Sequence, residues 1–349
     1  MNFNNKTIID NRIRSISNVL LLNASFIENL GLINGKIGIA IFFYRYARYT
    51  KNKIYERYAE ELIDEICNEI NITVPIDFTD GLIGIGWGIE YLVQNGFIET
   101  NTDEILEEID HAVFCATIKE PLSIQNITSF LEFGFFYLSR LKSKESSDKN
   151  PGTIKMKQMV DYILDEYEKL FTKEMIVTDG FKLTLFQINS LLWFILNTQR
   201  MGLFPEKSNN LILQLAVFFD KKIEYISYSI DLSILIDLMN ECKNQVNNST
   251  LWTKYENLII KVQSNYISSN VNEEQIVSDY IKSGWLPMIY NLKLIDLKQD
   301  FLERTFCIAT NDENWKQRLD NLNINNMGLD NGMAGLGLAL LQYREDMNN

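Results

Sequence analysis

Gly31-Leu-Ile-Asn-Gly-Lys-Ile-Gly-Ile-Ala40, Gly81-Leu-Ile-Gly-Ile-Gly-Trp-Gly-Ile-Glu90 and Gly328-Leu-Asp-Asn-Gly-Met-Ala-Gly-Leu-Gly337 are three versions of one segment, and together they hold 11 of the 17 glycines. Gly31 and Gly81 lie 50 residues apart, and Gly328 lies 297 residues after Gly31, six steps of about 49.5. A fixed period of roughly 20–50 residues marks a repeat architecture. Seven such units fill the 349 residues. Weaker copies with the same apolar ending, but few glycines, occupy the gaps at residues 127–141, 181–196, 226–239 and 280–292.

An amphipathic stretch precedes each apolar one. In the clearest, Ile54, Tyr58, Leu62, Ile66 and Ile70 recur every fourth position, while Glu60, Glu61, Asp64 and Glu65 fall mostly off that stripe, the pattern of a helix with one packed and one wet face. Comparable stretches run near residues 11–28, 102–118, 155–171, 208–224, 251–267 and 294–309. Helices apolar on most faces need neighbours all round, so the glycine-led set is expected inside and the amphipathic set outside. The expected fold is all-α, a double-layered α/α barrel or toroid of seven helical hairpins forming a single domain over residues 1–349. Pro75, Pro121, Pro151 and Pro205 are expected between helices, where a missing N–H does no harm. Residues 142–152 read as a solvated loop.

Composition agrees. Gly and Pro together make up only 22 of 349 residues, roughly half the average share, which favours long helices and argues against an all-β fold. Hydrophobic residues at 46% and charged residues at 23% are those of a chain that buries a core. A net charge of −13 repels phosphate backbones and anionic lipid, so nucleic acid is a poor partner. No apolar run approaches the ~18 residues of a membrane span, and the start carries no basic leader with an apolar core. A cytoplasmic chain without membrane insertion is expected. The cysteines, Cys67, Cys115, Cys242 and Cys307, stand far apart with no CxxC pair, as expected of reduced thiols.

Glycine at an inner helix start costs about 1 kcal/mol against alanine in a helix interior, so something offsets it. Packing at a crowded barrel centre is one reason. Bare backbone leaving room for a ligand, with unpaired N–H groups facing one cavity, is the other. Asp or Asn recurs beside these glycines, in Asn34-Gly35, Asp80-Gly81, Asp179-Gly180 and Asn331-Gly332, consistent with side-chain capping. If the inner helices open on one rim, Asp80, Asp179, Asp231, Asp279 and Asp330 also ring a mouth that attracts a cationic segment. Trp87 and Tyr91, four apart, and Phe42, Phe43, Tyr44 and Tyr46 are expected to form core layers or line a groove. The candidate cavity set is Asn34, Gly35, Asp80, Trp87, Asp179, Tyr228, Asp231, Asp279, Trp285, Asp330 and Asn331.

The three strong segments resemble the glycine motifs of the LanC family, the lanthionine synthetase C-like proteins. The rhythm extends over residues 30–344 and is specific mainly in repeats one, two and seven. The resemblance implies an α/α toroid of seven hairpins. It also implies, for members with cyclase activity, a zinc ion held by two cysteines and a histidine, the histidine following a cysteine in a Cys-His-Gly motif. Such a zinc lowers a peptide thiol's pKa for addition to a dehydro residue and thioether closure. The ligands belong at the inner openings of repeats five and six. Here those openings read Ile226-Ser-Tyr-Ser-Ile-Asp-Leu and Tyr280-Ile-Lys-Ser-Gly-Trp-Leu-Pro, with neither Cys nor His, and Trp285 with Pro287 stands where the Cys-His pair would be. No cofactor is expected, and no metal.

Other chemistry is thinly supported. His111 is the only histidine, and Cys115 follows it by one helical turn, but no third ligand can be named and the pair reads as the surface of an outer helix, opposite Ile105, Ile109 and Ala112. A Ser-His-Asp arrangement would need that same histidine. Carboxylate pairs drawn from Asp80, Asp179 and Asp330 keep open an alternative, a metal-independent, carbohydrate-active enzyme on an α/α toroid. The leading expectation is a zinc-free LanC-like protein of modified-peptide biosynthesis, a pseudoenzyme binding or scaffolding a peptide or a partner modifying enzyme. An interaction protein without any small ligand is the third class.

Overall fold

Amphipathic and apolar helices alternate as the repeat requires. In a computed structural model, the structure describes residues 3–70, 73–119, 121–142, 144, 150–177, 183, 185–222, 235, 238–243, 252–253, 256, 311–324, 327–329 and 332–346. Among them there is no strand. The chain divides into two compact units, Met1–Asp110 with Trp285–Asn349, and His111–Gly284.

The first unit contains α1 (Phe3–Asn23), α2 (Lys36–Thr50), α3 (Lys53–Glu69), α4 (Leu82–Gln94), α5 (Thr102–Ile105) and the start of α6 (Glu107–Lys119). From the far end of the chain it gains two helices, Asp312–Asp320 and Met333–Asp346. In α2 every residue from Lys36 to Ala47 is buried, and in α4 every residue from Leu82 to Leu92. These helices are apolar on all sides because they are surrounded. By contrast α3 buries only Ala59, Leu62 and Ile66. The expected stripe is corrected at its start, since Ile54 is 60% exposed. A hairpin joins α2 to α3: Lys51 takes the left-handed conformation (φ 55°) and donates its N–H to the Ala47 carbonyl, and the Asn52 side chain accepts from Ile54 N–H at 3.0 Å. One open carbonyl of α2 and one open N–H of α3 are thereby satisfied.

The second unit contains the rest of α6, then α7 (Ile127–Lys142), α8 (Pro151–Val177), α9 (Leu185–Arg200) and α10 (Pro205–Lys222). Here α7 packs on α8 and α9, and α10 packs on the same two helices. Phe135 stands edge-on to Trp193 with centroids 5.2 Å apart, and Tyr167 donates to the Ile127 carbonyl at 2.6 Å. The terminal helices, numbered next, are α11 (Asp312–Asp320) and α12 (Met333–Asp346). Within the first unit α12 packs on α1 and α2, so the last repeat lies directly on the first.

Three more expectations are corrected. Pro151 and Pro205 are not between helices but are the first residues of α8 and α10, where the lost N–H would have had no helical partner. The stretch near 102–118 breaks at Leu106 into α5 and α6, leaving Ile105 50% exposed while Leu106, Ile109 and Val113 are buried. Helix α11 was not among the expected amphipathic stretches. It is polar except for buried Trp315 and half-buried Leu319; Arg12 lies over Trp315 at 4.7 Å while pairing with Asp312. The stretches at 251–267, 280–292 and 294–309 lie almost wholly outside the described residues, as does most of 226–239.

Candidate functional site

The glycine-rich loops of repeats one, two and seven lie side by side. Ile33 N–H donates to the Thr79 carbonyl at 2.9 Å, and the Ile33 carbonyl accepts from Leu329 N–H at 2.6 Å. Repeat one is therefore held between repeat seven and repeat two by its own backbone. Approach this close leaves no room for side chains. A Cβ on Gly31 would stand 2.3 Å from Asp80 Cα, and one on Gly328 would stand 2.2 Å from the Ile33 carbonyl oxygen. Packing thus accounts for these glycines, and the space that a ligand would have needed beside them is filled by neighbouring backbone.

Each loop also turns back on its own helix. Lys36 and Ile37 N–H donate to the carbonyls of Asn29 and Leu30, Leu82 and Gly84 to those of Pro75 and Asp77, and Ala334 and Gly335 to those of Met327 and Gly328. Every one of these partners is seven residues earlier in the chain. In each of these three helices two of the first-turn donors that a helix leaves open are taken by the loop, so at these openings those N–H groups do not face a cavity unpaired. Side-chain capping is corrected at α2 and α4. The N-cap residues of α2 and α4 are Gly35 and Gly81, both extended and without a side-chain cap bond. A second glycine fits beneath each loop: a Cβ on Gly38, Gly84 or Gly335 would meet the carbonyl oxygen of Leu32, Phe78 or Leu329 at 2.3, 2.2 or 2.0 Å.

Asp80 serves a different purpose from capping. Its Oδ1 accepts from Asn29 Nδ2 at 2.6 Å and from Asn34 Nδ2 at 3.1 Å, while its N–H donates to Asp77 Oδ1 at 2.7 Å. Asn29 Oδ1 in turn accepts from Gly31 N–H at 2.7 Å. This carboxylate ties the loop of repeat two to that of repeat one. Among the candidates, then, the structure brings Asn34, Gly35 and Asp80 together. Trp87 goes elsewhere: it is buried in α4, stacked on Tyr91 at 5.6 Å and edge-on to Phe78 at 5.8 Å. Phe42, Phe43, Tyr44 and Tyr46 are likewise core. Asp179, Tyr228, Asp231, Asp279, Trp285, Asp330 and Asn331 lie outside the described residues.

Buried cations escaped the reading of the sequence, Lys36 and Arg45 among them. Lys36, at the opening of α2, reaches Glu65 at 2.9 Å and Glu69 at 3.4 Å on α3. Arg45, deeper in the same helix, meets Glu345 at 2.7 Å and Gln342 at 3.1 Å on α12. Both partners lie far away in sequence, and only the burial of the helix makes them necessary.

The residues present do not fit a zinc held by two cysteines and a Cys-His histidine. The only histidine, His111, is preceded by Asp110. It is exposed on α6, with Nε2 3.7 Å from the exposed Cys115 Sγ. Cys67 is exposed on α3, whereas Cys242 is buried, and its thiol is pushed up to about 12 by desolvation and then by Glu241, the wrong direction for a thiolate ligand. Among the described residues no three His, Cys, Asp or Glu side chains converge as a metal site would need. Cys307 lies outside those residues. Likewise among the described residues, no helix is long and apolar enough to cross a membrane.

No curated protein matches the chain. A family model does: residues 5–135 match the one described as lanthionine synthetase C-like protein. That range contains the first two glycine loops, the Asp80 bridge between them and helices α2 to α6. Over residues 5–135 this chain is thus similar to the lanthionine synthetase C-like proteins.

Proposed function

We propose that the chain is a zinc-independent lanthionine synthetase C-like protein, working in the cytoplasm on a ribosomally made, modified peptide. In this reading the seven hairpins form one toroid domain that binds or scaffolds the peptide, or a partner modifying enzyme, rather than closing thioether rings. The observation that carries it is the donor set. Thiol activation by zinc needs three protein ligands and an open fourth position, and the one imidazole in the chain is exposed on α6 beside Cys115. The net charge of −13 favours a cationic peptide or a basic partner. Asp179, Asp231, Asp279 and Asp330 are the proposed contacts. The carboxylate-enzyme alternative is weakened at Asp80, whose carboxylate is engaged by two asparagine amides of repeat one.

The test is a synthetic cationic peptide containing one dehydroalanine and one cysteine, incubated with the protein and added zinc. Ring closure leaves the mass unchanged but removes the thiol, so trapping with a maleimide followed by mass spectrometry reports it. The expected outcome is a fully trapped cysteine, together with saturable binding of the peptide by fluorescence anisotropy that weakens with salt. Zinc-dependent loss of the trapped species would overturn the reading, and so would no binding at all.

A further inference from the structure

The His111–Cys115 pair has no part in the glycine-loop scaffold or in any zinc site. Its two side chains project from α6 one turn apart, the spacing at which helical neighbours meet. Both are exposed, with the imidazole Nε2 3.7 Å from the thiol sulfur. A nucleophile and a base in contact, open to solvent, are the two parts of an activated thiol. We propose that Cys115 is a modification site for soft carbon electrophiles, with His111 as the base that takes its proton. In the step, the S–H proton passes to Nε2 and the sulfur electron pair forms the new S–C bond. With an alkyl halide the halide leaves with its bonding pair. With an α,β-unsaturated carbonyl the β-carbon is attacked and the α-carbon is then protonated by the imidazolium, which returns the base to its neutral form.

The rest of the chain provides the internal comparison. Cys67 is also exposed, but no imidazole stands beside it, and partial burial with Asp64 nearby pushes its thiol up. Cys242 is buried and exposes no sulfur to a reagent.

The experiment is limiting iodoacetamide on the native full-length protein, with peptide mass spectrometry timing the carbamidomethylation of each cysteine. Cys115 is expected to react at least about fivefold faster than Cys67, well below the roughly hundredfold of a buried, positioned base. His111→Gln is expected to bring Cys115 down to the rate of Cys67 and to leave Cys67 itself unchanged. Because His111 is exposed, the variant should retain the native circular dichroism, and an unchanged Cys67 rate verifies this independently. Cys115 reacting no faster than Cys67 would overturn the proposal. Equal Cys115 rates in the native protein and in His111→Gln would do the same.

Discussion

Alanine in place of Gly84 separates the packing account of the glycine loops from a conformational one. Helix propensity alone predicts a gain, because alanine is favoured over glycine by about 1 kcal/mol inside a helix. The structure predicts the reverse. The new Cβ would stand 2.2 Å from the Phe78 carbonyl oxygen and 2.9 Å from Leu32 Cβ, both inside the 3.0 Å that real Cβ contacts respect. Neither neighbour can yield easily, since Phe78 is buried and its loop is held by the Ile33 to Thr79 and Leu82 to Pro75 bonds. Overpacking of this kind costs about 1–3 kcal/mol where side chains can move, and here backbone must move, so a net loss of about 2 kcal/mol or more is expected. Gly152→Ala is the control. That residue is exposed, second in α8, and its Cβ would have only Asn150 Oδ1 nearby, at 3.5 Å. It should gain about 0.5–1 kcal/mol. For a unit of about 150–250 residues each kcal/mol moves Tm by about 2–4 °C, so thermal melts followed by circular dichroism should show Gly84→Ala about 4–8 °C lower and Gly152→Ala slightly higher. A Gly84→Ala melt at or above that of the native chain would refute the packing account.

Asp80→Ala removes the acceptor shared by Asn29 and Asn34 and should lower the urea stability of the first unit by about 1–2 kcal/mol; an unchanged midpoint would mean that the bridge does not hold the loops. Alkaline pH should unfold the chain cooperatively. Burial raises the phenols of Tyr46, to about 12, and of Tyr44, Tyr58 and Tyr91 above the ordinary 10.0, so their contribution is fully present below about pH 10 and is lost as pH rises towards 12. Phenolate absorbance should therefore rise together with loss of helix signal, and gradual ionisation near pH 10 with the helices intact would contradict it. Arg45→Met should destabilise the contact between α2 and α12 by about 1–3 kcal/mol, measured by urea denaturation, because Glu345 and Gln342 lose their shared donor.

The helical rhythm was legible because burial leaves its mark on residue type. Surrounded α2 and α4 are mostly apolar, with buried Lys36, Arg45 and Glu90 as exceptions, and α3 keeps most of its acids on its exposed face. What sequence does not carry is backbone partnership. Gly35 and Gly81 look like the neighbours of capping side chains, yet the caps are carbonyls seven residues back, a relation that depends on loop shape and on no particular side chain. Asp80 reads in the sequence as a helix cap or a mouth residue, but its carboxylate engages Asn29, 51 residues away in sequence. Ile54 and Ile105 follow the apolar period yet fall at a helix start and a helix break, where the period no longer decides burial. Helix α11 shows no apolar period because its apolar residues are only Trp315 and Leu319.

The central proposal is that this lanthionine synthetase C-like chain works without a bound zinc. The most direct measurement is elemental analysis of the purified full-length protein after equilibration with zinc and removal of excess metal by gel filtration. Zinc well below one equivalent per chain is the result expected. A stoichiometric zinc that remains bound when His111 and Cys115 are replaced by Gln and Ser would contradict the account.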